Sequence, residues 1–375
     1  MKIVHIITGL GDGGAEHTLY KICKYDLKNE HIVISLTGPG KYFSLLQKLN
    51  IKVHLFNFNF FSIHKFFYLS NLLSCLKPDI IQTWLVHADF VGSLAARLVG
   101  IKNIIWNIRY SNLETGSVKF STIIIIKFLA KISKLLPKSI ITVSKKAKRI
   151  YEINGYDSKK LKFIPNGYDL KILRPNKLQK INFKKKYKIK KNIPIIGNVG
   201  RYDPQKDHLN FLKALSFIRS KNINFFCVLV GSKINKNNFI LRSTIKRLKL
   251  SKHIKLLGQK KNISQVMNGL DLYVQSSSYG EGFPNVVAEA MACGTPCIVT
   301  NIGDSSYIVG NTGWVIPPKN PIKLAKVIEK ALREIKITNW TKRCNIARLR
   351  VKKNFDITTM IKYYNQIWTN VLKKK

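Results

Sequence analysis

The sequence predicts an α/β protein made of two doubly wound, parallel-sheet domains facing each other across a cleft. Three observations predict it. Short runs rich in Ile and Val alternate with longer stretches of helical spacing through the first 143 residues. The alternation breaks in a turn-rich stretch and then restarts. The chain, at 375 residues, is longer than one ordinary hydrophobic core supports.

The apolar runs at 2–8, 31–37, 52–58, 79–84, 103–108 and 139–143 read as strands. Each is short, β-branched and bounded by Gly, Pro or Asn, the pattern of strands covered on both faces. Between them, 15–27, 63–76, 88–99 and 118–136 carry apolar residues at helical spacing. Residues 154–193 then bring Asn-Gly, Pro-Asn-Gly and Arg-Pro turns and the basic run Lys184-Lys185-Lys186. Strand-like runs return at 194–200, 225–231, 254–258, 271–276 and 297–300. The predicted organisation is an N-terminal domain over 1–165, a linker over 166–193 and a C-terminal domain over 194–355. A final helix, 356–375, is expected to pack back toward the first domain.

Composition narrows the function. Hydrophobic residues at 45% and charged residues at 22% exclude a disordered or collagen-like chain. Lys+Arg 65 against Asp+Glu 19 gives a net charge of +46, a field that attracts phosphates of any kind. AT-rich codons account for part of the Lys excess but not for the scarcity of acids. Nucleic acid is not the expected partner, because no nucleic-acid motif is present and Lys is spread along the whole chain. Cys23, Cys75, Cys227, Cys293, Cys297 and Cys344 form no CxxC and no zinc spacing, so reduced thiols in a cytoplasmic protein are expected. The apolar run 3–7 is too short for a signal peptide. The lipophilic stretch 123–136 is interrupted by Lys127, Lys131 and Lys134, unlike the ~20 unbroken apolar residues of a membrane span.

The sharpest motif is Glu281-Gly282-Phe283-Pro284-Asn285-Val286-Val287-Ala288-Glu289. Pro284 suits the first position of a helix, which Gly294-Thr295-Pro296 would end. Unpaired amides at such a start face anionic oxygens. Glu281 would lie in the loop before the helix and Glu289 roughly 7–8 Å further along it. Two acids so placed can hold two sets of hydroxyls on one elongated ligand; they can equally decorate a solvated helix start. Gly9-Leu10-Gly11-Asp12-Gly13-Gly14-Ala15-Glu16 follows the first strand and opens a helix. It lets backbone approach a phosphate, though it is neither a dinucleotide fingerprint nor a P-loop. Arg201 and Lys206 follow the strand run ending at Gly200, and Gly231 ends the next. Arg offers a planar fork and Lys a point charge to a diphosphate. His87 follows the fourth strand, and Arg109, Tyr110, Ser111 and Asn112 follow the fifth. A lone His is often a structural hydrogen-bonder, so position alone marks His87.

Together these segments resemble glycosyltransferase family 4, retaining enzymes of the GT-B fold found in bacterial surface polysaccharide synthesis. Glu281 to Glu289 is similar to the family's E-x7-E motif, and Glu289 to Pro296 continues it. Gly200-Arg201 with Lys206 resembles the family's phosphate-gripping pair, and Gly13-Gly14-Ala15-Glu16 its amino-terminal loop. The departure is Tyr110, where close relatives often carry His.

The resemblance implies two Rossmann-like domains and a nucleotide-sugar donor, a UDP-sugar, bound by the second. Glu281 would hold the sugar hydroxyls with the backbone of Gly282, Phe283, Pro284 and Asn285. Glu289 would hold the ribose, Gly231 would line the donor site, and Arg201 and Lys206 would stabilise the leaving diphosphate. Gly13 and Gly14 would close on the diphosphate, His87 would sit near the anomeric carbon, and Arg109, Ser111 and Asn112 would lie on the acceptor side. No metal or other cofactor is expected, and no Asp-x-Asp occurs.

The reaction would be a front-face displacement rather than a double displacement, whose carboxyls stand about 5–5.5 Å apart. The acceptor would be a saccharide or lipid-linked saccharide. Phe56, Phe58, Phe60, Phe61, Phe66, Phe67 and Tyr68 crowd the acceptor domain, and the lysine-studded 123–136 stretch suits an anionic membrane surface. The expected location is cytoplasmic, peripheral on the inner membrane face. A GT-B sugar-nucleotide epimerase and a basic nucleic-acid-binding protein are the alternatives.

Overall fold

The computed structural model describes residues 1–57, 63–109, 120–336 and 340–373. Two compact units result, Met1–Gly167 with Ile357–Lys375, and Tyr168–Asp356.

The first unit begins with β1 (Lys2–Ile7), α1 (Gly14–Tyr25), β2 (Glu30–Ser35), α2 (Lys41–Gln47), β3 (Lys52–Leu55) and α3 (Ile63–Leu76). It continues through β4 (Ile80–Trp84), α4 (Val86–Leu98), β5 (Ile104–Ile108), α5 (Phe120–Ile132), β6 (Ser139–Thr142), α6 (Lys145–Ile153) and β7 (Leu161–Phe163). The seven strands form one sheet in the order β3-β2-β1-β4-β5-β6-β7, all pairs parallel. Along β1, Val4 and Ile6 enter one apolar cluster and Ile3 and Ile7 another. Both faces are therefore buried, which is why the strand reads as a continuous apolar run. Strand β7 was not legible in the sequence: three residues at a sheet edge, with Lys162 exposed, carry little apolar signal.

The second unit opens with α7 (Lys177–Lys186), β8 (Ile195–Val199), a 3-10 turn (Pro204–Lys206), α8 (His208–Ser220), β9 (Phe226–Val230), α9 (Phe239–Arg247) and β10 (Ile254–Leu256). It goes on with α10 (Ile263–Gly269), β11 (Leu272–Gln275), α11 (Asn285–Ala292), β12 (Cys297–Thr300), α12 (Ser305–Val309), β13 (Trp314–Ile316), α13 (Pro321–Ile335) and α14 (Trp340–Asn354). Its parallel sheet has the order β10-β9-β8-β11-β12-β13. The stretch expected to be a linker is packed into this unit from Tyr168 onward. Phe183 of α7 is buried against Gly269, where a side chain would collide with its ring. Lys180 Nζ lies 2.5 Å from Asp271 Oδ1, while Asp271 Oδ2 accepts the Ile195 amide at 2.8 Å. Turn residues around α7 hid these anchors.

The last helix, α15 (Ile357–Lys373), belongs to the first unit. Ile357, Met360, Tyr364, Trp368 and Val371 recur at helical spacing and are buried beside Ile3 and Ile7. Trp368 donates to Gln82 Oε1 at 2.8 Å. No helix of the described residues is long and apolar enough to cross a membrane.

Candidate active site

Strand order reverses once in each sheet, between β1 and β4 and between β8 and β11. Open α/β sheets hold their ligands at the carboxyl ends of strands flanking such a switch point. Of the residues singled out in the sequence, the described ones follow strands at or next to these two places.

In the second unit, β8 is followed by Gly200, which meets Gly231 after β9. A Cβ on Gly231 would stand 1.9 Å from the Gly200 carbonyl oxygen, so only glycine lets these two loops cross. Arg201 reaches back to Asp203, Nε to Oδ2 3.0 Å, and its side chain is largely exposed. Asp203 Oδ1 accepts the Gln205 amide at 3.0 Å and so caps the 3-10 turn. That turn delivers Lys206. Its Nζ stands 2.6 Å from Glu281 Oε1, on the loop that follows β11. Ser277 donates to the same carboxylate oxygen at 2.5 Å, and Ser276 donates to the Lys206 carbonyl at 2.8 Å. Glu281 is only 8% exposed, so this carboxylate is held by one cation and one hydroxyl inside the fold.

The loop beyond Glu281 is clamped from the other side. Gly303, with φ of +60°, lies under the Glu281 and Gly282 carbonyls, and the Asp304 amide donates to Gly282 O at 2.8 Å. Phe283 is buried edge-on against Phe355, ring centroids 5.5 Å apart. Pro284 is the N-cap of α11 rather than its first helical residue, and no side chain caps the helix start. Its extended ψ of 99° ends the loop one residue later than the Pro rule predicts. The first amides of α11 thus face the Glu281 loop. Asn285 opens α11 and accepts the Tyr168 hydroxyl at 2.7 Å. Burial, with the Glu289 charge adding, pushes the Tyr168 phenol well up, so it stays a donor. Glu289 is half-buried, one turn further along α11. Beside Lys206, His208 is buried, and both its ring nitrogens lack a hydrogen-bond partner. Burial, then the Lys206 charge, lower its pKa to about 4.

In the first unit, Gly13 caps α1 and Gly14 is its first residue. The Glu16 carboxylate folds back over Gly13, where a Cβ would meet it at 2.4 Å, whereas the space beside Gly14 is open. Burial raises the Glu16 pKa. After β4, Leu85 takes φ of +72°, a costly conformation for a branched side chain, and caps α4. His87, half-buried, is the second residue of that helix. Arg109 follows β5 and lies over the Trp84 ring, 5.1 Å from its centroid. Ser111 and Asn112, with Tyr110, lie outside the described residues, as do Phe58, Phe60 and Phe61.

Two family profiles match this chain. The one described as Glycosyl transferases group 1 covers residues 179–345, and the one described as Glycosyltransferase Family 4 covers residues 12–172. The chain belongs to glycosyltransferase family 4. Its fold is GT-B, and it is a glycosyltransferase.

The UDP-Gal:alpha-D-GlcNAc-diphosphoundecaprenol alpha-1,3-galactosyltransferase of Escherichia coli is 26% identical over 315 residues, 82% of this chain and 79% of that one. The N,N'-diacetylbacillosaminyl-diphospho-undecaprenol alpha-1,3-N-acetylgalactosaminyltransferase of Campylobacter jejuni is 26% identical over 362 residues, 92% of this chain and 93% of that one. Among solved structures, Anabaena HepE in complex with UDP superposes with a TM-score of 0.87 at 20% identity, covering 99% of this chain and 100% of that one. A glycosyltransferase from Rickettsia africae gives 0.85 at 24% identity, covering 100% and 99%.

In this family 4 glycosyltransferase the structure brings Lys206 and Glu281 into contact and sets Gly231 against Gly200. Arg201 is turned toward Asp203 and makes no contact with Glu281 among its hydrogen bonds. Ser277 was missed, because a serine in a run of three carries no signal until the loop around it folds. Trp84, Asn166 and Tyr364 were also missed as neighbours of Arg109. They come from segments up to 280 positions apart, so their meeting has no local trace.

Proposed function

We propose that this glycosyltransferase is a retaining enzyme. It moves a sugar from a UDP-sugar to a hydroxyl of a lipid-linked saccharide in cell-surface glycan synthesis. The Lys206–Glu281 pair at the second sheet's switch point carries the reading. An ammonium and a carboxylate 2.6 Å apart, beside an uncapped helix start, offer opposite charges to the two ends of a sugar diphosphate. Relatives named for UDP-Gal and for diphosphoundecaprenol acceptors, and a similar fold in complex with UDP, support the choice of substrates.

In this reading Glu281 accepts hydrogen bonds from the sugar hydroxyls, held in place by Lys206 and Ser277. Glu289 takes the ribose. Lys206 and Arg201 face the diphosphate, where negative charge grows as the bond from the anomeric carbon to the phosphate oxygen breaks. Fixed cations there act on the transition state more than on the ground state. The acceptor oxygen bonds to the anomeric carbon on the face the diphosphate leaves. Its proton passes to the departing phosphate oxygen, giving UDP and a product of unchanged anomeric configuration. No enzymic nucleophile is needed, and the two cations meet the charge without a metal. In the first unit we assign the Gly13 and Gly14 amides to a phosphate, His87 to a hydroxyl, and Arg109 to the acceptor.

The protein would act at a membrane surface, the inner face. On α5 and the turn after it, exposed Ile124, Phe128 and Leu135 alternate with exposed Lys127, Lys131 and Lys134. Such a stripe suits an interface bearing anionic lipid. Stronger sedimentation with anionic than with neutral vesicles supports this; equal sedimentation contradicts it.

The test of the reaction is incubation of the full chain with UDP-, GDP- and ADP-sugars and bacterial lipid extract, with and without EDTA. Transfer from a UDP-sugar with retained configuration by proton NMR, undiminished by EDTA, is expected. Inverted product, or conversion of the UDP-sugar without any acceptor, would overturn it.

A further inference from the structure

We propose that Arg109 is the receptor for the acceptor's phosphate, the diphosphate joining saccharide to lipid. This rests on the lipid-linked acceptor proposed above and adds the group that reads it.

Among the described residues, no anion stands beside the Arg109 cation. Its Nε donates to Asn107 Oδ1 at 2.9 Å, one terminal nitrogen to Asn166 Oδ1 at 2.8 Å and the other to the Tyr364 hydroxyl at 2.8 Å. All three acceptors are neutral, and among the described residues no carboxylate pairs with it. A guanidinium has five N–H donors, so two remain to be used. Burial lowers its pKa, yet Arg stays charged. A charge taken out of water and met only by dipoles is a site that gains from an arriving anion. The residue is partly exposed, so an anion can reach it. The planar fork matches two phosphate oxygens at once. Nearby positive charge is added by Lys21, which holds the Gly167 carbonyl at 2.9 Å next to Asn166.

The support beneath Arg109 is held by a stack and a chain of hydrogen bonds. The guanidinium lies over Trp84, which stacks on Tyr364 with planes 20° apart. The Trp84 indole N–H, a donor only, points at His5 Nδ1 at 3.2 Å. His5 Nδ1 must therefore accept, which puts the His5 proton on Nε2. That nitrogen lies 3.0 Å from His31 Nδ1, so His31 accepts there and carries its own proton on Nε2. His31 Nε2 then donates to Asp26 Oδ2 at 3.2 Å. One chain of hydrogen bonds thus fixes both tautomers and the angle of the indole, and all four residues are buried.

The same chain excludes a rival use of this cluster. His5, Cys23 and His31 present ligand atoms within 4.8 Å of one another. A metal on His5 Nε2 would leave its remaining proton on Nδ1, facing the Trp84 N–H donor to donor. The cluster is a hydrogen-bonded brace, and Trp84 is a positioning residue for Arg109.

The test uses inorganic pyrophosphate titrated into the full chain saturated with UDP, and acceptor kinetics with lipid extract. Arg109→Met should weaken pyrophosphate binding at least tenfold and raise the acceptor KM at least tenfold, with the UDP-sugar KM within twofold of wild type. Should Arg109→Met fail to fold by circular dichroism, Arg109→Lys decides, since it keeps the charge and loses the fork. A threefold or greater loss on both readouts supports the proposal. Unchanged pyrophosphate affinity overturns it. Pyrophosphate binding lost while acceptor KM is unchanged also overturns it, because the site would then serve free phosphate only. If the wild type transfers no sugar at all, it is the glycosyltransfer reading that has failed, and the pyrophosphate titration still judges Arg109.

Discussion

At the carboxyl ends of β8 and β11, Lys206 is met by Glu281 at 2.6 Å. At the carboxyl ends of β4 and β5, Arg109 is met by two asparagines, a phenol and an indole face. Both are cations at or beside a switch point of a parallel sheet, and both are largely withdrawn from water. The difference teaches what each has to do. In the proposed reaction the Lys206 ammonium holds Glu281 toward the sugar hydroxyls and offers its remaining N–H groups to the diphosphate, so one pair would serve two ends of a donor. The Arg109 guanidinium, with no carboxylate partner among the described residues, is free to take an anion in the proposed acceptor site.

Breaking the pair should give the largest effect. Lys206→Ala removes a fixed cation from the developing charge and should lower kcat by ~10²–10³-fold, the range found for one such electrostatic donor. The measurement is initial rate at saturating substrates. A loss confined to the UDP-sugar KM would mean that Lys206 binds without acting on the transition state.

Gly231→Ala should follow, through stability. Its Cβ would meet the Gly200 carbonyl at 1.9 Å, so the two loops must part. A loss of ~2–4 kcal/mol is expected, as for other strained or overpacked sites, with UDP affinity falling as well. Urea unfolding against titration of UDP measures both.

Acid should strip stability from the second unit through His208. Its folded pKa lies near 4, below the ordinary 6.5, because the buried ring resists charging. The unfolded chain therefore binds the proton first. The stability is complete above pH 6.5 and is lost as pH falls from 6.5 toward 4. His208→Phe should flatten the unfolding free energy across that window, and an unchanged slope would assign the acid sensitivity elsewhere. The first unit contrasts below this window. The His31 and Asn29 hydrogen bonds, acting against burial, hold Asp26 down to about 2, so its contribution is present above pH ~4 and lost as pH falls from there toward 2.

The smallest effect sharpens the contrast most. Trp84→Phe keeps an aromatic face and deletes the donor to His5. About 1 kcal/mol of stability should go, the worth of one buried hydrogen bond. The acceptor KM should rise two- to fivefold while kcat stays near wild type. A matched fall in kcat with unchanged KM would make Trp84 merely structural.

Much of the proposed donor site was legible in the sequence. Glu281, Gly282 and Pro284 stand together, and a loop entering a helix needs only neighbours to be recognised. What could not be read was that Lys206, 75 positions away, would touch Glu281, or that Ser277 would join it. The proposed acceptor site was far less legible. His5 and His31 sit inside apolar strand runs, and the only trace of their brace is a polar residue where a parallel strand should be apolar. Its partners Asp26 and Trp84 arrive by folding. Helix α7 reads as linker because turns flank it, and Phe183 and Lys180 tie it down only once the chain folds.

The central claim is that Glu281 reads the sugar while Lys206 reads the diphosphate. Calorimetric titration of UDP and of a UDP-sugar into wild type and Glu281→Gln tests it most directly. The account predicts that Glu281→Gln binds UDP as wild type does, within about threefold, and binds the UDP-sugar at least tenfold more weakly. Equal losses for both ligands, or none for either, would contradict it.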